Sequence, residues 1–189
     1  MTPFIKHRGI AAPLFRDNID TDQIIPSREM KSVSKTGLSG GMFAGQRYIT
    51  GRTPNPDFVL NRPEYQNATI LLSGANFGCG SSREHAVWAL KEYGFRAIIA
   101  QSFGEIFYNN CVRNGILPVQ LSADAIDTLG REVRIDLAAQ KVDAHPFDIA
   151  KGDKYMLLNG LDPIALTLKH EDDIVAYFSG DTDRRPWLY

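Results

Sequence analysis

The side chains with the most varied chemistry lie together in one short stretch, residues 79–85, which reads CGSSREH. It contains a thiol, two hydroxyls, a guanidinium, a carboxylate and an imidazole. Hydroxyls and a guanidinium beside the first turn of a helix bind carboxylates or phosphates well, because the N–H groups there are unpaired and carry partial positive charge. The stretch is therefore the first candidate for an anion-binding or catalytic site.

The surrounding residues predict a strand, a glycine-rich turn and a helix that position this stretch. An apolar run at residues 68–72 precedes the turn. The turn contains three glycines, which permit positive φ angles and close approach to a ligand: Gly74, Gly78 and Gly80. Apolar side chains then recur on one helical face, at Ala86, Ala89, Leu90 and Tyr93. We expect residues 81–83 at the start of this helix and Gly94 at its end.

Ser81 and Glu84 also have the spacing of a capping box, in which each side chain bonds a backbone N–H at the helix start. Either role leaves the Ser81 oxygen beside the positive end of the helix, so neither excludes the other. Two nucleotide-binding motifs fit less well. A Walker A loop needs Gly-Lys-Ser/Thr where residues 80–82 read GSS, and the dinucleotide pattern needs glycine at Arg83.

Residues 76–86, NFGCGSSREHA, resemble the signature of the small subunits of 3-isopropylmalate dehydratases, in the aconitase superfamily. Three further segments are similar to the same family in the same order: residues 17–26, 55–61, and 159–162 with 166–168. The resemblance spans nearly the whole chain. It implies a hydro-lyase that interconverts 2- and 3-isopropylmalate by dehydration and rehydration in leucine biosynthesis.

The resemblance also implies roles for individual residues. Ser81 would be the catalytic base, with its alkoxide stabilised by helix-start N–H groups and a nearby cation. Arg83 would clamp a substrate carboxylate bidentately, Ser82 would donate a hydrogen bond to the same group, and Asp22 would orient these partners. Arg28 could meet a second carboxylate, although a solvated surface arginine is the ordinary alternative.

Three neighbours would support the site from beside it: Cys79, Glu84 and His85. His85 lies about one turn into the predicted helix, so we expect a supporting or capping role rather than direct proton transfer. Cys79 could be redox reactive if it is exposed near the helix start.

The two cysteines of the chain, Cys79 and Cys111, are too few to hold an ordinary iron–sulfur cluster. The resemblance implies that a [4Fe-4S] cluster, acting as Lewis acid, belongs to a large subunit with which this chain forms a heterodimer or larger assembly. We therefore expect this chain to bind neither metal nor cofactor, and to act on a dicarboxylate only with its partner.

Composition fits one domain over residues 1–189, since the chain is 43% hydrophobic and shows no composition shift. A formal net charge of −1 gives no electrostatic reason to expect nucleic acid or an anionic membrane as partner. Its apolar runs are far shorter than the about 20 residues that span a bilayer. We expect the protein in the cytoplasm.

Strands and helices alternate along the middle of the chain, which predicts an α/β fold. The sequence predicts strands at 97–100 and 115–121, a helix at 103–110, a helix opened by Ser122, and two antiparallel strands within 134–144. The resemblance specifies a single aconitase-type swivel domain with mostly parallel strands and flanking helices.

The ends and loops carry weaker signals. Residues 4–15 alternate in the manner of an edge strand or hairpin. We predict a flexible loop at about 27–51, which the resemblance links to substrate specificity, and a proline-rich connection at 52–63, both with little core. Near the end, Asp162 and Pro163 open one short helix. Glu171 opens another that ends before Gly180, and about 181–189 form a loose tail.

The acidic turn at residues 17–22 has three interpretations. Acidic or amide side chains occupy positions 1, 3, 5 and 12 of a calcium loop, but Gln23 stands where that loop needs glycine and Pro26 falls inside it. The turn could also be a cluster of Asx turns. The interpretation we favour, from the resemblance, brings Asp22 to the active site.

Two other functions remain open. One is a related hydro-lyase that acts on homoaconitate or on methylmalate and methylmaleate. The other is a stand-alone anion- or nucleotide-binding module without a partner.

Overall fold

A mixed seven-stranded sheet lies at the centre of the computed structural model, which describes residues 1–30, 34–80 and 82–188, apart from the side chain of Asp183. Its strands are β1 (Lys6–Leu14), β2 (Ala68–Ser73), β3 (Ala97–Ala100), β4 (Leu117–Gln120), β5 (Glu132–Asp136), β6 (Lys141–Val142) and β7 (His145–Pro146). The order across the sheet is β4-β3-β2-β1-β5-β6-β7. Strands β1 to β4 are parallel, and β5, β6 and β7 continue the sheet in antiparallel pairs.

Strand β1 lies inside the sheet, so the prediction of an edge strand or hairpin at residues 4–15 is wrong. It pairs with β2 on one side and with β5 on the other. Both faces of its second half are covered, since Ala11 and Ala12 are buried on opposite sides. The polar first half, with exposed Lys6 and Arg8, produced the alternation typical of an edge.

The helices are α1 (Thr21–Ile24), α2 (Ala44–Arg47), α3 (His85–Tyr93), α4 (Glu105–Asn114), α5 (Ala123–Asp127), α6 (Lys151–Asn159), α7 (Pro163–Thr167) and α8 (Glu171–Arg184). Single 3-10 turns cover Ser27–Glu29, Ser39–Gly41, Thr50–Arg52, Val59–Asn61, Pro63–Tyr65, Leu168–His170 and Pro186–Leu188. No helix in the described residues is both long and apolar enough to cross a bilayer.

Several predicted helix ends are confirmed. The side chain of Ser122 accepts from the N–H of Ala125 at the start of α5, and Asp162 caps α7 in the same way with Pro163 following it. Gly94 ends α3 with a φ of 121°. Helix α6 was not predicted, and α8 continues past Gly180 to Arg184, so its predicted end is wrong.

Apolar residues cover both faces of the sheet. Ala12, Leu71 and Ile98 face α3, whereas Ile70, Ile99 and Val133 face α5 and α6. Helix α4 contributes to both layers. Cys111 of α4 is fully buried among apolar side chains, and burial raises the pKa of its thiol.

The long excursion between β1 and β2 contributes to the core, so the prediction of loops with little core is wrong. Within the predicted loop segments, these side chains are almost completely buried in the cluster that contains α3 and β1: Leu38, Met42, Phe43 and Leu60. They are separated by glycines and short turns, and they show neither helical nor strand periodicity. Residues 31–33 of this excursion lie outside the described residues.

The chain ends in an arm, residues 163–188, that consists of α7, α8 and short turns. Of its described side chains only Asp181 is buried, and it forms an ion pair with Arg185. The arm exposes large apolar side chains instead: Ile164, Leu168, Val175, Tyr177, Phe178, Trp187 and Leu188. The looseness of residues 181–189 stays a prediction, and Tyr189 lies outside the described residues.

Candidate active site

The loops that follow β1 and β2 meet beyond the carboxyl ends of these two strands. The N–H of Gly78 donates to the carbonyl of Ile19 at 2.7 Å, and the N–H of Thr21 donates to the carbonyl of Cys79 at 2.9 Å. In α/β sheets this edge is where ligands bind, because loops from neighbouring strands converge there. The topology therefore brings the acidic turn and residues 79–85 together, although they are about 60 residues apart in the chain.

Carboxylates of the acidic turn accept hydrogen bonds from backbone N–H groups, both within the turn and across to the loop that follows β2. Asp20 caps α1 by accepting from the N–H of Gln23 at 2.7 Å, and Asp17 accepts from the N–H of Ala75 at 2.6 Å. Asp22 differs, since its side chain is 66% exposed. In the described chain, no three His, Cys, Asp or Glu side chains are grouped so that they could hold a metal ion.

Two glycines allow the second loop to pack this closely. A Cβ on Gly78, which has a φ of +76°, would lie 2.1 Å from the ring of Phe107. A Cβ on Gly74 would lie 2.2 Å from the carboxylate of Asp17. Such distances are too short for real Cβ contacts, so the loop requires glycine at both positions.

Helix α3 starts at His85, so the prediction that Ser82 and Arg83 lie at the helix start is wrong. Glu84 stands at the N-cap position with φ −75° and ψ −10°, and its side chain makes no capping hydrogen bond. Glu84 therefore does not occupy the third helical position that a capping box requires, and the cap expected at Ser81 stays a prediction. The carbonyl of Ser82 accepts from the side chain of Asn110 at 3.2 Å instead of from a helical N–H. Ser81 itself lies outside the described residues, so its role stays a prediction.

Arg83 and Asp22 are brought together at this edge. The Nη2 atom of Arg83 lies 3.8 Å from Oδ1 of Asp22, and both side chains are more than half exposed. They line a small cleft whose other residues are Thr21, Ile25, Met30, His85 and Ala86. An exposed ion pair of this length contributes at most about 1 kcal/mol to stability. The contact between Arg83 and Asp22 is therefore a weak one.

His85 supports the cleft from the first turn of α3. Its ring packs against the ring of Trp88 with centroids 4.7 Å apart. Its Nδ1 atom is buried and has no hydrogen-bond partner among the described residues. This placement agrees with a supporting role, because the ring is fixed by packing rather than by a proton-transfer partner.

The other described candidates are not among the residues that line this cleft. The backbone carbonyl of the partly buried Cys79 accepts from the N–H of Thr21, and Ser82, which precedes Arg83 in the chain, is exposed. Arg28 does not line the cleft; its Nε atom lies 3.6 Å from Glu29, whose carboxylate also pairs with Arg52. A substrate-binding role for Arg28 stays a prediction.

Sequence reasoning missed a carboxylate that holds the excursion against α3. The carboxylate of Glu92 accepts from the backbone N–H groups of Gly37, Leu38 and Ser39 at 2.6, 2.6 and 2.7 Å. These hydrogen bonds, that from Gly37 most of all, lower the pKa of Glu92. No signal in the sequence pairs Glu92 with a segment more than 50 residues away.

It also missed two asparagines of α4, Asn110 and Asn114, which are buried between α4 and α3. Their four-residue spacing was an available signal, since it places two amides on one helical face within an otherwise apolar stripe.

Comparisons with known proteins give a consistent result. A family model described as the aconitase C-terminal domain matches residues 1–124, and one described as the C-terminal domain of the 3-isopropylmalate dehydratase small subunit matches residues 164–189. The chain is 56% identical to the 3-isopropylmalate dehydratase small subunit of Cupriavidus necator, with 100% of this chain and 99% of that protein covered. A crystal structure of a 3-isopropylmalate dehydratase from Methanocaldococcus jannaschii is similar with a TM-score of 0.69 and 30% identity, covering 92% of this chain and 99% of that one. The likeness confirms the predicted α/β, aconitase-type fold.

Proposed function

The chain belongs to the family of 3-isopropylmalate dehydratase small subunits, and from this premise we propose that residues 81–84 and Asp22 form its half of a shared active site. The protein is the small subunit of a hydro-lyase that interconverts 2- and 3-isopropylmalate in leucine biosynthesis. It functions with a large subunit. By this proposal, the remaining half of the active site belongs to that partner.

The observation that carries the proposal is the placement of Arg83 beside Asp22 at the carboxyl edge of β1 and β2. The substrate is a dicarboxylate, and the proton that is lost in dehydration lies beside a carboxylate. Its removal requires a base, and the negative charge that develops requires fixed positive groups. A guanidinium that faces an exposed carboxylate at this distance can turn its planar fork toward a substrate carboxylate and form two parallel hydrogen bonds.

Ser81 is the proposed base, and Ser82 is the proposed donor to the carboxylate that Arg83 binds. Both are neighbours of Arg83 in the chain. Because α3 begins only at His85, we assign the stabilisation of the serine alkoxide to the cation of Arg83 rather than to the start of the helix. Asp22 keeps that cation at the edge when substrate is absent.

The residues of this chain do not fit a cluster of their own. Cys111 is completely buried in the core, which leaves Cys79 as the single cysteine near the site. We propose that a [4Fe-4S] cluster in the large subunit supplies the Lewis acid for the departing hydroxyl. The subunits would meet over the edge that carries Arg83, in the cytoplasm, without nucleic acid or membrane as a partner.

Reconstitution tests the function. The purified chain mixed with its large subunit, under reducing conditions with iron and sulfide, should isomerise 2-isopropylmalate, whereas either chain alone should not. Parallel assays with homoaconitate and methylmaleate identify the substrate class. Activity on one of these but not on 2-isopropylmalate would overturn the substrate assignment, and inactivity of a cluster-loaded complex toward all three would overturn the proposed function.

A further inference from the structure

Two buried asparagines of α4 mark a contact that the catalytic proposal does not use. Asn110 is 4% exposed and Asn114 is 8% exposed, although asparagine is a poor helix former and its amide is costly to bury without partners. Leucine or alanine would fill the same space without a buried amide. The hydrogen-bond partners of the two amides therefore indicate the role of these asparagines.

Asn110 bonds the backbone of the proposed catalytic loop. Its Nδ2 atom donates to the carbonyl of Ser82 at 3.2 Å, and the amide orientation is fixed because a carbonyl can only accept. The carbonyl belongs to the peptide that joins Ser82 to Arg83. Asn110 thus fixes the chain direction immediately before Arg83, at a point where the loop has no helical hydrogen bond and α3 has no side-chain cap.

Asn114 lies one turn further along α4 and contacts residues that follow Arg83 in the chain. Its Nδ2 atom lies 3.4 Å from Oε2 of Glu84 and 2.9 Å from the carbonyl of Asn110, and its Oδ1 atom accepts from Nε1 of Trp88 at 3.1 Å. Trp88 in turn packs against His85. The two amides together fix both sides of the first turn of α3.

We propose that Asn110 is a positioning residue for the dehydratase reaction, which holds Arg83 at the angle that binds the substrate carboxylate, and that Asn114 supports it. This inference rests on the proposed function. Displacement of a positioned group by about 1 Å can cost on the order of 10² in rate. Loss of the Asn110 amide therefore weakens both substrate binding and turnover.

The test compares three variants in the reconstituted complex. Asn110→Leu removes the donor and keeps the site apolar, and Asn110→Asp keeps the shape but replaces the donor by a carboxylate oxygen. Asn109→Ala is the matched control, because Asn109 is the exposed neighbour on the same helix. For both Asn110 variants we expect the KM for 2-isopropylmalate to rise about 5- to 10-fold and kcat to fall about 10-fold. The control should stay within twofold of the wild type.

A merely structural role would lower the folded fraction, which reduces kcat and leaves KM unchanged. Hydrogen exchange of the peptide that covers residues 81–84 provides a second measurement. Faster exchange there, with α4 still protected in Asn110→Leu, supports the proposal. An unchanged KM or unchanged exchange at 81–84 overturns it. Should both variants fail to assemble, Asn114→Ala is assayed instead, and a normal KM in that variant also overturns the proposal.

Arg83→Lys, measured in the same series, separates the two proposals. If Arg83→Lys is impaired and Asn110→Leu is normal, the positioning role fails and the proposed function stands. If Arg83→Lys has normal KM and kcat, the proposed role of the loop in substrate binding is wrong, and the positioning role of Asn110 is wrong with it.

Discussion

The two ends of helix α3 are built in opposite ways. At the C-terminal end, Gly94 closes the helix and Glu92 accepts three short backbone hydrogen bonds from residues 37–39. At the N-terminal end, the first turn has no side-chain cap, and the cation of Arg83 faces Asp22 across 3.8 Å with both side chains exposed.

The two ends of α3 therefore differ in their capacity to bind a ligand. Hydrogen bonds that are already short and charge-assisted leave little to gain from a ligand. The ion pair of Arg83 and Asp22 is long and exposed to solvent, so it contributes little to stability. We expect the C-terminal end of α3 to serve stability and the N-terminal end to bind the substrate carboxylate.

The largest expected effect follows from Ser81→Ala. If Ser81 is the base at the N-terminal end, kcat of the reconstituted complex should fall by on the order of 10² to 10⁴. Ser179→Ala, on the exposed part of α8, is the control and should have no effect. Steady-state assays with 2-isopropylmalate measure both. Turnover near the wild-type rate would remove Ser81 from the chemistry.

Arg83→Lys should have the next largest effect. Lysine keeps the charge but lacks the planar fork, so substrate binding and turnover should both weaken, and kcat/KM should fall about 10- to 100-fold. Arg113→Lys, at an exposed position of α4, controls for loss of any guanidinium. An unchanged kcat/KM in Arg83→Lys would show that this end of α3 does not bind the substrate.

Glu92→Gln should affect stability rather than catalysis. A neutral amide weakens the hydrogen bonds to residues 37–39, so we expect Tm to fall by about 2–5 °C, with kcat within about threefold of the wild type. Glu105→Gln, in the exposed first turn of α4, is the control. Thermal unfolding monitored by circular dichroism gives the shift. A large loss of kcat with no change in Tm would contradict the contrast between the two ends.

The smallest expected effect is the pH dependence of the difference in stability between the wild type and Glu92→Gln. The pKa of Glu92 is lowered from its ordinary value of 4.5, so the folded state binds the proton less tightly than the unfolded state. The stabilisation is fully present above pH 4.5 and is lost as pH falls through the folded pKa. The difference in free energy of unfolding between wild type and Glu92→Gln should thus be constant from pH 7 to about 5.5 and shrink at lower pH. Urea titrations at several pH values measure it, and a difference that grows on acidification would refute the assignment.

Local signals predicted much of the fold. The apolar run at 68–72, the glycines before α3 and the Ser122 cap are short-range features, and each gave the correct element because neighbouring residues determine it. The position of β1 could not be predicted, because it depends on pairing with residues 132–136, which are more than 100 residues away.

The candidate site was predicted in part. Residues 79–85 and the acidic turn are correctly brought to one edge, and Arg83 meets Asp22. The start of α3 was misplaced because the pattern at Ser81 and Glu84 satisfies the local capping rule, whereas Asn110 competes for the backbone of that loop from a distant helix. A hydrogen bond from a distant helix cannot be read from the local sequence of the loop that accepts it.

The apolar arm at residues 163–188 has a practical consequence for work with the isolated protein. Large apolar side chains that are exposed in this number favour self-association in water. Preparations of this chain alone should therefore become turbid at high concentration sooner than a chain that stops at Asp162, and light scattering against concentration would display the difference.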